Sequence, residues 1–294
     1  MPDPLSFWLI ILVIAGILLV ARLIAGLLRT MILRGLPPLI ARLQGWMRRV
    51  YGVPHVIELL RLRAPGPTQW VSQRFATDRF TGLPLTLFVL LAAYLVSLGS
   101  DLAEHVIEHE EIMHLDEHIN RALSVVRDPH ILAVVGKITH LADVVTLVAV
   151  TVVASAFLWA DRRMHFLPGL WLAVIGSQTI TYIGKYAIDR ARPEFLTFAS
   201  AATPSFPSGH ATGAMAVYGF IAYAILREID RPAVRFELAF WAGALIATIA
   251  ASRLVLSVHF ASDVAAGLIV GGFWLLAAFA LTEYWREIVH RRHA

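Results

Sequence analysis

What most constrains this chain is a series of long apolar runs that water cannot accommodate. Leu5–Leu28, Leu83–Leu98, Val144–Ala160, Phe166–Ile183, Ala211–Leu226, Leu238–Leu254 and Phe260–Leu281 are each almost free of charge. A helix crosses the hydrocarbon core of a bilayer in about 20 apolar residues, so the pattern predicts an all-α integral membrane protein of seven spans. Composition agrees: 58% of the 294 residues are hydrophobic and 16% are charged, which is more apolar than an ordinary soluble domain. A β-barrel would need shorter, alternating segments, and none is present. The first run has no basic leader and exceeds a signal-peptide core, which predicts a retained helix. With no cysteine in the chain, disulfides, thiolate metal sites and a cysteine nucleophile are excluded.

The net charge of +4 is unevenly spread. Arginines flank the apolar runs, where membrane orientation explains them, so nucleic acid is not an expected partner. Residues 29–79 are apolar-basic and interrupted by Pro37-Pro38, Pro54 and Pro65-Gly66-Pro67. That pattern suits short amphipathic helices on an anionic membrane face, or a basic connector that only sets topology. Residues 100–130 are acidic. Under the positive-inside rule the basic segments 29–79, 161–165, 227–235 and 286–294 face the cytoplasm, and seven spans with the N-terminus outside satisfy all four. The acidic segment then falls outside. No internal repeat or low-complexity stretch is seen.

Three polar stretches fall on that same outer face: Lys185–Pro193, Pro207–His210 and Ala251–Asp263. Ionisable residues at a membrane boundary are costly unless paired or wetted, which marks them as functional candidates. Lys185, Arg190, Arg192 and Arg253 concentrate positive charge, and arginine presents a planar fork suited to phosphate oxygens. Ser208 is a candidate N-cap for a helix whose first N–H groups, with Gly209 allowing close approach, favour an anion. His259 and Asp263 share a helix face, and a carboxylate beside an imidazole fixes its tautomer. Each stretch alone has a plain reading: a turn, an interfacial anchor, a structural hydrogen bond.

Taken together, the stretches resemble the type 2 phosphatidic acid phosphatase (PAP2) superfamily of membrane lipid phosphatases. Its signatures K-x6-R-P, P-S-G-H and S-R-x5-H-x3-D stand here as Lys185…Arg192-Pro193, Pro207-Ser208-Gly209-His210 and Ser252-Arg253…His259…Asp263. The resemblance covers about residues 82 to 294 and implies a six-helix transmembrane bundle. The additional N-terminal helix and basic amphipathic segment, 1–80, lie outside it, giving expected domains of 1–80 and 81–294. The resemblance further implies that His259 is the nucleophile and forms a phosphohistidine, that Asp263 orients it, and that His210 is the general acid. Lys185, Arg192, Ser208, Gly209 and Arg253 would hold the phosphate. Metal and cofactor are expected to be absent. Arg190, inside the first signature but not specified by it, is expected to support the site from behind, and Asp189 to pair with Lys185 one turn away.

The implied substrate is a lipid phosphate or diphosphate of the phosphatidate, phosphatidylglycerol phosphate, undecaprenyl diphosphate or lipid A type. The implied location is a bacterial inner membrane, with the site facing the periplasm. A phosphotransferase using the same intermediate stays open, because acceptor choice lies in pocket shape. A transporter would place broken or charged positions near mid-span, whereas here they gather at one face. The sequence carries no statement of oligomeric state. His105, His109, His114 and His118 have partial metal-ligand spacing, against the plainer reading of a solvated helix face. Gly267-x-x-x-Gly271-Gly272 is expected to pack within the bundle.

Overall fold

A computed structural model describes residues 4–49, 62–76, 79–108, 110–193 and 203–293. The described residues form helices and turns and contain no strand. The chain divides into two compact units, Met1–Leu87 and Phe88–Ala294.

In the first unit, α1 spans Pro4–Arg49 and α2 spans Pro65–Arg74. The expected interruption at Pro37-Pro38 does not occur, and α1 continues through both prolines. Each proline removes one helical hydrogen bond, and the helix carries that loss without ending. Residues 50–61, including Pro54, lie outside the described set.

Helix α3 (Leu83–Glu108) begins at the unit boundary. The second unit continues with α4 (Glu110–Ala122), α5 (Pro129–Thr139), α6 (Val144–Ala160), α7 (Leu167–Ile188), α8 (Gly209–Leu226), α9 (Pro232–Val255) and α10 (Ala261–His293). Prolines at the first positions of α5, α7 and α9 mark starts, where a missing N–H costs nothing. Asp189, at φ 48°, ends α7 in the left-handed conformation. Helix α8 contains one π-helical turn, Ala214–Tyr218. Six helices are long and apolar enough to cross a membrane, or seven if α5 and α6, bent by 49° at Asp143, count as one span.

The core of this unit lies where α7, α8 and α10 meet: Phe166, Leu170, Ala173, Phe220, Leu275 and Ala278 are buried together. Small residues let the helices approach. A Cβ at Gly267 would lie 2.6 Å from the Ser208 carbonyl oxygen, and one at Gly271 2.6 Å from that of Thr212. The glycine face of α10 therefore packs inside the bundle against the start of α8, as expected. Many large apolar side chains, among them Val145, Val153, Phe157 and Ile175, remain exposed on the helix flanks, as a lipid-facing surface requires.

Candidate active site

Four helix ends converge on one end of the second unit: the last turns of α7 and α9 and the first turns of α8 and α10. Because successive long helices run in opposite directions, the three polar stretches meet although they are far apart in sequence. They line a cavity of about 610 Å³ with Lys185, Arg192, Gly209, His210, Arg253 and His259 on its polar side. Ala142, Val144, Leu147, Tyr182 and Ile183 form an apolar side. Ser208 and Asp263 are fully buried beside this cavity without lining it.

His259 sits in the short connection between α9 and α10, just before the helix that carries Asp263. Its Nδ1 is 3.5 Å from Asp263 Oδ2. That is a loose contact, and Nδ1 has no formed hydrogen bond. The carboxylate is occupied elsewhere: Oδ2 accepts from the Phe260 N–H at 2.8 Å and Oδ1 accepts from Arg190 Nη1 at 2.7 Å. The Phe260 contact is half of a capping box, in which a side chain in the first turn returns to the N-cap N–H. Burial pushes the His259 imidazole down to about 3, with Arg253 and Arg192 adding to it against the pull of Asp263. The ring is therefore neutral at physiological pH, the form with a lone pair.

Lys185 and Arg192 are held in place by carbonyls, and Arg253 by a hydroxyl. Lys185 Nζ donates to Pro204 O at 2.5 Å. Arg192 Nε donates to Thr203 O at 2.8 Å and Nη1 to Val258 O at 2.6 Å, leaving Nη1 3.4 Å from His259 Nε2. Arg253 Nη1 donates to Thr139 Oγ1 at 2.7 Å, while its buried Nε has no partner. Ser208 occupies the N-cap position of α8, but its side chain caps nothing, and its buried Oγ is also unpartnered. Such orphaned polar atoms are uncommon in a native interior, and these lie around one cavity.

One expected pairing is absent: Lys185 and Asp189 form no ion pair. The left-handed turn at Asp189 takes its side chain off the face of α7, and only its backbone N–H returns to Lys185 O, at 2.9 Å. The helix also ends before Arg192, which reaches the cavity from an irregular segment after it.

Several residues in the site were not anticipated. Asp116 of α4 is buried and accepts from Arg190 Nη2 at 2.8 Å. It also accepts from the Ser262 backbone N–H at 3.0 Å and from the Ser262 hydroxyl. Arg190 thus bridges two buried carboxylates, Asp116 and Asp263, and its guanidinium lies over the Phe260 ring at 4.4 Å. Asp143 accepts from His210 and His140. Asp116 belongs to an acidic segment with no motif, and Asp143 has the sequence signature of an ordinary helix cap, so neither carries a signal of its own. His109 lies outside the described residues, and among the described residues no three His, Cys, Asp or Glu side chains are grouped to hold a metal.

Comparison with known proteins gives this geometry a lineage. The sequence pattern of the PAP2 superfamily matches residues 166–287. A protein named phosphatidylglycerophosphatase B, from Bacillus subtilis, is 31% identical over 179 residues, covering 60% of this chain and 85% of the relative. A lipid A 1-phosphatase from Rhizobium etli is 36% identical over 117 residues, covering 36% of this chain and 46% of that relative. In three dimensions the chain is similar to a transmembrane PAP2-type phosphatidylglycerolphosphate phosphatase from Bacillus subtilis. The TM-score is 0.60 at 26% identity, covering 64% of this chain and 94% of that one. By fold, sequence and the arrangement of the three polar stretches, this chain belongs to the PAP2 superfamily.

Proposed function

We propose that the protein is a metal-independent lipid phosphatase that releases phosphate through a phosphohistidine at His259. The observation that carries this reading is one cavity in which a neutral His259 faces Lys185, Arg192, Arg253 and His210, with Asp263 behind it. A phosphate seated there would meet three cations and the N–H groups at the start of α8, arranged in advance around the position of the charge. The unpartnered Ser208 Oγ and Arg253 Nε supply two further donors.

In the reaction, His259 Nε2 attacks phosphorus in line with the lipid oxygen. The P–N bond forms as the P–O bond breaks, and His210 gives its proton to the departing oxygen. Asp263 closes on Nδ1–H and stabilises the positive charge that the ring acquires, much as a carboxylate serves a catalytic histidine in other nucleophile–base arrays. Water then attacks the phosphohistidine. His210, now neutral, takes the water proton, phosphate leaves, and both histidines return to their starting states.

The two-sided cavity supports an amphiphilic substrate: phosphate on the cationic side, chain along Val144, Leu147, Tyr182 and Ile183. Val144, Tyr182 and Ile183 are also more than half exposed on the helix flanks, so the apolar side is continuous with the lipid-facing surface. The arginines Arg163, Arg227 and Arg286 sit at the opposite end of the unit, which supports a site on the outer face of a bacterial inner membrane.

The test is phosphate release from phosphatidate, phosphatidylglycerol phosphate, undecaprenyl diphosphate and lipid A, with and without EDTA and with a lipid alcohol as acceptor. Release is expected to persist in EDTA, to be inhibited by vanadate, and to disappear in His259→Ala. A requirement for added Mg²⁺, or survival of activity in His259→Ala, would contradict the reading. Phosphate appearing on the alcohol, with none released, would identify a phosphotransferase.

A further inference from the structure

Asp143 stands at the N-cap position of α6, with extended backbone (φ −63°, ψ 148°), yet its side chain caps no helical N–H. An aspartate at this position ordinarily accepts from the second or third N–H of the helix, and that bond is the reason for its preference there. Here both carboxylate oxygens turn away to imidazoles. Oδ1 is 2.8 Å from His210 Nε2, and Oδ2 is 2.6 Å from His140 Nδ1. Asp143 is 38% exposed and His210 23% exposed, while His140, at 71%, is open to solvent.

A carboxylate only accepts, so the contact fixes the proton of His210 on Nε2. Nδ1 of His210 makes no hydrogen bond to any described residue and is free to exchange a proton in the cavity. The positive ring produced by protonation would face Arg253 and Arg192 with no compensation from Asp263, which is committed to Arg190 and the Phe260 N–H. Asp143 is the carboxylate placed to offset that repulsion. His140 holds the second oxygen, so the carboxylate is fixed at both ends.

We infer that Asp143 is a positioning residue for acid catalysis, orienting His210 through its Nε2–H and favouring the protonated ring that gives its proton to the leaving oxygen, with His140 steadying Asp143. This rests on the proposed phosphatase function and adds a second carboxylate–histidine pair to the site. One carboxylate would serve the nucleophile and the other the acid. When His210 transfers its proton to the lipid alkoxide, the ring becomes neutral with its Nε2–H still on Asp143. When water attacks the phosphohistidine, the same ring recovers a proton at Nδ1.

The test uses two phosphate monoesters that differ in their need for an acid. Dodecyl phosphate leaves as an alkoxide and needs a proton, whereas 4-nitrophenyl phosphate leaves as a stable phenolate and does not. In detergent micelles, Asp143→Asn is expected to lower the single-turnover rate of dodecanol release from dodecyl phosphate by about 10- to 100-fold and that of 4-nitrophenolate release from the aryl ester by no more than about 3-fold, since general acid catalysis is worth at least that much and this first step precedes the water attack common to both. His210→Ala should show the same split, and Asp143→Asn/His210→Ala should be no slower than His210→Ala alone. His140→Gln should give a weaker form of the Asp143→Asn pattern. Equal losses on both esters in Asp143→Asn, no loss at all, or additive losses in the double variant would overturn the inference. Activity surviving in His259→Ala, or a wild type inert toward both esters, would instead overturn the function on which it rests.

Discussion

At the scale of single residues, Arg190 ties the site together from behind. It joins Asp116 of α4 to Asp263 of α10 through bonds of 2.8 and 2.7 Å, and it is itself only 10% exposed. Removing one partner of a buried ionic group leaves the others charged and unpaired, which costs about 3–5 kcal/mol. Arg190→Ala is therefore expected to lower thermal stability in detergent strongly. The freed Asp263 carboxylate should also rotate, slowing turnover more than it weakens binding. Circular dichroism melting and the separation of kcat from KM check both parts. A variant as stable and as fast as wild type would show that the bridge has no such role. The positive charge on Arg190 was legible in the sequence because it lies inside a recognised signature. Its acidic partner was not: Asp116 is 74 residues away, and only the packing of α4 against the start of α10 brings it near. Sequence spacing describes neighbours on one helix, and this contact joins three.

At the scale of elements, the site depends on how closely α10 approaches the start of α8. Gly267 leaves room for the Ser208 carbonyl, and the Ser208 N–H donates in return to the Asp263 carbonyl at 2.9 Å. A methyl group at Gly267 must displace backbone, not a flexible side chain, and overpacking of this kind costs typically about 1–3 kcal/mol. Gly267→Ala is expected to lower the melting temperature and to reduce activity by displacing Gly209 and His210 from the cavity. Gly243, whose added Cβ would meet nothing within 4 Å, is the control: Gly243→Ala should leave both measurements unchanged. The small-residue spacing on α10 made this packing face readable in advance. Helix ends were less readable. The chain continues as helix through Pro37-Pro38, where sequence punctuation predicts a stop, so the lost hydrogen bonds are not enough to end it. It leaves the helix at Ile188, before Arg192, because a left-handed residue ends α7 earlier than Pro193 would. The π-helical turn in α8 has no counterpart in apolar periodicity at all.

At the scale of the whole molecule, the second unit has a polar, cation-rich cavity at one end and a cluster of ion pairs at the other, with exposed apolar flanks between. At the far end, Arg227 Nε lies 2.8 Å from Glu283 and Arg163 Nη1 3.3 Å from Glu228. Long apolar runs made the class of protein legible, and the three signatures made the site legible, because both depend on local patterns. The alternation of helix direction, read from charge, correctly brought the signatures to one end. The sidedness of that end is directly measurable, since the chain has no cysteine of its own. In intact spheroplasts, a membrane-impermeant maleimide is expected to label Ser124→Cys, near the site end, and to leave Asp230→Cys, on the α8–α9 connection, unlabelled. The reverse pattern would place the cavity on the cytoplasmic face.

Rapid quenching can trap the covalent step at His259. Wild-type protein mixed with ³²P-labelled lipid phosphate and stopped in base within milliseconds should carry label that is stable to base and labile to acid, as a phosphohistidine is. His259→Ala should carry none. Label retained in His259→Ala, or a wild type that releases phosphate with no labelled protein at any quench time, would contradict the account.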